Sequence, residues 1–232
     1  MKDPYLYDDC NVLINKANIK TQQKLDDFES TMVNLGIIKL LKDYQTLNKV
    51  SDIFIIHKIL FENVYTWAGK SRIINIYKEE QVLNGLSVEY CDFNIIESSL
   101  SKLQIHINSI NWNNLSKNEV LIETIKIISF IWKVHPFREG NTRVVALFLY
   151  FFLKDKKYKV NRDFIGKYAK YFRNALVLSS IGKYSEYQYL EEILKDSISF
   201  KYSNKTMDSK YKTIKEYNLE KYTYNSHKYK EN

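Results

Sequence analysis

Along the first third of the chain the apolar positions recur every three or four residues. Leu25, Phe28, Met32, Leu35, Ile38 and Leu41 form one such series, and that spacing predicts an amphipathic helix over 24–42. Ile53, Ile56, Ile59, Leu60 and Val64 form a second, predicting a helix over 51–65. Trp67, Ala68 and Gly69 then break the period. From Arg72 to Leu86 the pattern changes. Ile73, Ile74 and Ile76 are β-branched, Lys78, Glu79 and Glu80 cluster charge, and Asn84-Gly85 is a turn pair. This stretch reads as a short β-hairpin or extended flap. Helical spacing resumes and predicts helices over 92–110, 117–134, 141–155, 161–180 and 184–198. The chain is thus mainly α, a helical bundle with one short hairpin flap. No internal repeat is evident.

Length and composition agree with one core. The 232 residues suffice for one domain, 45% are hydrophobic and 15% aromatic. Six glycines and two prolines favour long uninterrupted helices. Cys10 and Cys91 form no metal pattern and no disulfide framework, which suits a reduced, cytoplasmic setting. Asp3, Asp8 and Asp9 stand where a signal peptide would need apolar residues. The uncharged run 144–153 is half of the ~20 residues that a membrane span needs, so no membrane role is expected.

Charge divides the chain at about residue 200. The net charge is +8 and the isoelectric point about 9.1. The segment 201–232 holds eight lysines against four carboxylates, half of that excess. Its only aliphatic side chains are Met207, Ile214 and Leu219. Residues 1–200 are therefore expected to form the folded body and 201–232 a basic, Tyr- and Lys-rich mobile tail. Nucleic-acid binding is expected only through that tail. Richness in Lys, Asn, Ile and Tyr also fits a base-composition bias in the coding sequence.

The chemistry concentrates between two apolar runs. Residues 135–143 read His-Pro-Phe-Arg-Glu-Gly-Asn-Thr-Arg. Gly140, Asn141 and Thr142 open the second run as a helix N-terminus. The free N–H groups and partial positive charge there suit a phosphate. His135, just outside, is the candidate general base. Pro136 should end the preceding helix at His135, and Phe137 should anchor the loop in the core. Glu139 is a lone carboxylate suited to Mg²⁺, which keeps water and takes other ligands from phosphates; it also suits the helix dipole. Gly140 permits close approach to a phosphate, Asn141 can donate its side-chain amide, and Thr142 adds a hydroxyl. Arg138 reads as a solvated charge. His57, His106 and His227 read as structural or surface residues.

This segment resembles the signature of the Fic family (Fic/Doc superfamily), His-x-Phe-x-Asp/Glu-Gly-Asn-Gly-Arg-x-x-Arg. His135, Phe137, Glu139, Gly140, Asn141 and Arg143 match in register; Thr142 and Ala146 depart from a glycine and an arginine. The segments 3–16, 61–78 and 171–194 are similar to family segments as well. The resemblance implies transfer of AMP from ATP to a Ser, Thr or Tyr hydroxyl of a target protein, with Mg²⁺ or Mn²⁺ at Glu139. Arg143 would contact the outer phosphates. Ile74, Asn75, Ile76, Tyr77 and Lys78 would dock the target by strand addition. It also implies an antitoxin-type partner supplying an inhibitory glutamate helix, since no Ser/Thr-x-x-x-Glu-Gly/Asn segment occurs in this chain. A Fic-fold phosphotransferase or other phosphate-group transferase, and a non-catalytic interaction protein with a basic tail, stay open as alternatives, as do toxin, regulator and effector roles.

Overall fold

The computed structural model describes residues 3–44, 46–198, 204–212 and 214. Helix α1 is Gln22–Asp43 and α2 is Asp52–Phe61. Helices α3, α4 and α5 are Ile96–Ser109, Lys117–Val134 and Asn141–Asp155. Helices α6, α7 and α8 are Arg162–Lys167, Ala169–Leu178 and Gln188–Ile198, and α9 is Asn204–Lys210. None of these helices is long and apolar enough to cross a membrane.

The core forms around α4 and α5, which pack side by side. Their facing side chains include Ile128, Trp132, Val145, Phe148 and Leu149, all essentially buried. Helix α2 covers α5 and α1 covers α2; α3 lies on α4, and α7 and α8 close its other flank. Ser116 starts α4 with a reciprocal cap: its hydroxyl accepts the Glu119 N–H while the Glu119 carboxylate accepts the Ser116 N–H.

The buried stripe of α1 differs from the predicted one. Leu25, Val33, Gly36 and Leu40 face inward, whereas Leu35 and Ile38 are exposed. Gly36 sets this rotation. A Cβ there would lie 2.7 Å from the Ile59 carbonyl oxygen and 2.9 Å from Leu60 Cα, so the two helix backbones approach closely only along that face. The predicted helix 161–180 is two helices that meet at Tyr168, whose ψ of 33° leaves the helical region.

Two further expectations change. The segment 72–80 forms no β-ladder; the one bridge among the described residues joins Leu6 and Leu13. Of the two readings of this stretch, a β-hairpin or an extended flap, the second holds: an extended loop turns back through a 3-10 turn, Gln81–Leu83. Asn84 and Gly85 do make the reversal, in left-handed conformation. The packed body also extends past residue 200. Met207, Tyr211 and Ile214 are buried in the main cluster, and Tyr211 donates to Asp196. Aromatic rings of Phe164, Tyr168 and Tyr171 cover Tyr211, which makes up for the scarcity of aliphatic side chains. The rest of the segment expected to be mobile, 215–232, lies outside the described residues.

Candidate active site

The last turn of α4 delivers the candidate base. His135 ends that helix in left-handed conformation, φ 49° and ψ 59°, because the following Pro136 disfavours a further helical residue. Three contacts hold this strained residue. Its amide donates to the Ile131 carbonyl at 3.2 Å, its carbonyl accepts from Arg72 Nε at 2.8 Å, and its Nδ1 lies 3.0 Å from the Trp132 carbonyl. A carbonyl only accepts, so Nδ1 carries the hydrogen and Nε2 keeps its lone pair. Burial pushes the imidazole pKa well below its usual value, and the charges of Lys78 and Arg72 add to this. His135 is therefore neutral at physiological pH and able to accept a proton.

The loop after His135 is rigid. Phe137 is fully buried, stacked on His57 at 3.9 Å between ring centres and edge-on to Phe54 at 5.3 Å. Asn141 clamps it from both sides: its Oδ1 accepts the Phe137 N–H at 3.0 Å, and its Nδ2 donates to the Phe137 carbonyl at 2.7 Å. The Asn141 amide thus closes the loop through its Oδ1 and one of its two Nδ2 hydrogens, and its backbone N–H lies at the start of α5. Gly140 has φ +83°, and a Cβ there would sit 2.3 Å from the Phe61 ring; both facts require glycine. Arg138 is not a solvated charge either. Its Nε and Nη2 meet Asp3 at 3.0 and 2.8 Å, tying the loop to the N-terminal segment. His57, fully buried, bridges α2 to the loop: Nδ1 accepts the Gly69 N–H and Nε2 donates to the Glu139 carbonyl.

Above the α5 N-terminus lies a cavity of about 190 Å³ lined by Lys78, His135, Glu139, Gly140, Asn141, Thr142, Arg143 and Arg173. The first N–H groups of α5 have no helical carbonyl to meet and form its floor. Glu139 is drawn in from both sides, with Oε1 accepting the Gly140 N–H and Oε2 meeting Lys78 Nζ, each at 2.9 Å. Burial alone would raise its pKa, but Lys78, the Gly140 N–H and Arg143 outweigh this and hold it well below the usual carboxylate range. The Thr142 hydroxyl accepts from the Trp132 indole at 3.1 Å. Arg143 lies over the Phe61 ring and meets Glu29 of α1 at 2.6 Å. A larger concavity, about 850 Å³ between α2, α3 and residues 69–73, contains neither His135 nor Glu139.

The extended loop 73–79 is pinned at both ends. At one end the buried Arg72 guanidinium donates to the carbonyls of His135, Ile74 and Cys91. At the other, Glu80 is held by Arg173, at 2.7 and 3.0 Å, and by the Tyr90 hydroxyl at 3.2 Å. Between them Ile74, Tyr77 and Lys78 are half-buried, Ile76 is buried, and Asn75 holds Asp92 and the Phe93 N–H. The structure thus brings the predicted base, carboxylate, helix N-terminus and flap lysine together. Sequence reasoning missed Arg72, Glu80, Arg173, Tyr90 and Glu29. A charged residue inside an otherwise apolar run, as at Arg173 in Tyr-Phe-Arg-Asn-Ala-Leu, is the one signal that could have flagged any of them.

Residues 47–153 match the sequence profile of the Fic/DOC family. A Sinorhizobium fredii protein named as a probable protein adenylyltransferase, y4lH, is 29% identical over 186 residues, 78% of this chain and 90% of that protein. The protein adenylyltransferase VbhT of Bartonella schoenbuchensis is 26% identical over 69% of this chain, which spans a third (33%) of that longer protein. The crystal structure of BepC, a VirB-translocated effector of Bartonella tribocorum solved with AMPPNP bound, superposes with a TM-score of 0.69. It is 22% identical, and the match covers 85% of this chain and 97% of the crystallised BepC chain.

Proposed function

We infer that this chain, which carries a Fic/DOC family domain, is a protein adenylyltransferase that moves AMP from ATP to a hydroxyl of a target protein. The observation that carries this reading is a neutral His135 lining the same small cavity as the α5 N-terminus. The names of its relatives and the nucleotide bound by BepC support it.

In this reading the ATP phosphates rest on the backbone N–H groups of Asn141, Thr142 and Arg143, where the helix dipole favours negative charge. The Arg143 side chain binds the outer phosphates. The target segment lies along residues 74–78 and presents its hydroxyl to His135 Nε2. The hydroxyl oxygen bonds to the α-phosphorus as its proton passes to His135. The bond from that phosphorus to the bridging oxygen breaks, and pyrophosphate leaves. The clamps on His135, Phe137 and Asn141 matter because positioning supplies much of the barrier reduction in such transfers.

The donor set fits Mg²⁺ in one way only. Among the described residues no group of three or more His, Cys, Asp or Glu side chains is suited to a metal, so an all-protein cage is absent there. Glu139 is ionised and borders the phosphate cavity, which suits a cation completed by water and phosphate oxygens. Glu139 would hold it in exchange for Lys78, and the cation would neutralise charge on the phosphates.

Incubation of a lysate with the protein and ATP labelled at either the α- or the γ-phosphate tests the reading. The α-label should enter protein and the γ-label should not. His135→Ala should lower incorporation about 10²–10⁴-fold while ATP binding stays within about threefold of wild type, because His135 does not contact the outer phosphates. Incorporation of the γ-label would replace AMP transfer by phosphoryl transfer.

A further inference from the structure

The cavity at the α5 N-terminus has two guanidinium walls built alike. On one side Arg143 meets the buried Glu29, which accepts the Tyr65 hydroxyl at 2.5 Å. On the other, Arg173 of α7 meets the buried Glu80, which accepts the Tyr90 hydroxyl at 3.2 Å. Each arm runs tyrosine, glutamate, arginine. In each, only the arginine lines the cavity; the glutamate stands behind it. A carboxylate behind a guanidinium fixes its direction, as the partners of metal ligands do for theirs. Arg173 meets Glu80 through Nη2 alone, and among the described residues no other group meets its Nη1 or Nε. A residue required only to neutralise Glu80 need not reach the cavity, yet the Arg173 side chain is 36% exposed and lines it. The Tyr90 ring lies 4.2 Å from the His135 ring, so this second arm flanks the base. Position 146, one turn into α5, is an alanine and offers no charge.

We propose that Arg173 is a phosphate-binding residue: its guanidinium contacts a non-bridging oxygen of the nucleotide phosphate next to His135, in the cavity that Arg143 also lines. The proposal rests on the nucleotide site inferred above, and nucleotide binding tests it independently of transfer. A phosphate seated on the helix N-terminus then meets donors from three directions, the α5 backbone, Arg143 and Arg173. Charge-assisted contacts of this kind are short and strong.

Calorimetric titration of ATP, ADP and AMP against three variants decides it, with a melting curve for each. Glu80→Gln keeps an acceptor oxygen behind Arg173 and should bind all three nucleotides at least as tightly as wild type. The double variant Glu80→Gln/Arg173→Gln leaves no buried charge unpaired and should lose about tenfold or more, for AMP as well as for ATP. Arg173→Lys keeps the charge but loses the fork, and should fall between, with a melting temperature near that of wild type. It carries the test if the double variant does not fold. Wild-type affinity in both Arg173 variants would overturn the proposal. So would an equal loss in Glu80→Gln and the double variant, since Arg173 would then act only by pairing with Glu80. If wild type binds nucleotide but labels no protein, the transferase reading fails and the Arg173 proposal stands.

Discussion

Trp132 Nε1 donates to Thr142 Oγ1 at 3.1 Å, joining the last turn of α4 to the first turn of α5 across the site. Trp132 is fully buried, so its indole N–H depends on that hydroxyl. The family signature that this chain resembles has glycine at 142. Here the threonine serves the packing of the helix pair that carries His135.

Replacing Thr142 therefore tests stability as well as binding. Thr142→Gly strands a buried donor, which costs about 1–3 kcal/mol, and should lower the urea midpoint accordingly. Thr142→Ser keeps the hydroxyl and should stay within about 0.5 kcal/mol of wild type. Equal midpoints for the two variants would mean that the indole finds another partner.

Acid should destabilise the fold well before the carboxylates titrate. Burial pushes the His57 pKa down from 6.5 to about 3, and the charge of Arg143 adds to this. The unfolded chain takes up this proton at pH 6.5 and the folded chain only near 3. Stability is thus full above pH 6.5 and declines as pH falls toward 3. One unit corresponds to about 1.4 kcal/mol, so His57 alone removes about 2 kcal/mol by pH 5. His135 is shifted the same way and adds to the loss, and Glu139, also lowered, contributes below its ordinary value of 4.5. Urea melts at pH 7.5, 6 and 5 check this. A flat profile over that range would mean that both imidazoles are protonated without unfolding.

Much of this site was legible in the sequence because it is local. His135, Glu139 and the N-terminus of α5 lie within nine residues, and Pro136 and Gly140 mark their own backbone geometry. The helix pair α4 and α5 could be read from spacing for the same reason. What stayed hidden was contributed from a distance. Glu29 lies 114 positions from Arg143 and Glu80 lies 93 from Arg173; no period or spacing links such residues. The loop-closing contacts of Asn141 with Phe137 were not legible either, because an amide can serve a ligand or a backbone equally well. The rotation of α1 followed from Gly36, whose importance lies in the partner helix. The edge of the folded body was misplaced because Tyr211, counted as tail composition, packs as core against Phe164, Tyr168 and Tyr171.

Tyr211 gives that edge a direct test. It is buried, touches three aromatic rings and donates to Asp196 at 2.5 Å. Tyr211→Ala should cost about 3 kcal/mol and lower the melting temperature by about 6–12 °C. A chain ending at residue 203 should lose at least as much, since Met207 goes too. An unchanged melting temperature in both would return the boundary of the folded body to residue 200.

The pairing of Glu29 with Arg143 leads to the last prediction. Glu29 Oε1 meets Arg143 Nη2 at 2.6 Å, and Oε2 accepts from Tyr65 at 2.5 Å. The carboxylate orients the arginine, but it also sets a negative charge behind a site inferred to bind phosphates. Like charges roughly 10 Å apart repel by on the order of 1–2 kcal/mol at an effective dielectric constant near 20, less with screening. Glu29→Gln keeps an acceptor oxygen on this side chain and removes the charge. ATP should then bind about three- to tenfold more tightly, and AMP, with fewer charges, should gain less. Titration of both nucleotides at low and high salt checks the assignment, because an electrostatic gain shrinks as salt rises. Weaker binding of ATP in the variant would reverse the balance, making the orientation of Arg143 by Glu29 worth more than the repulsion that Glu29 brings.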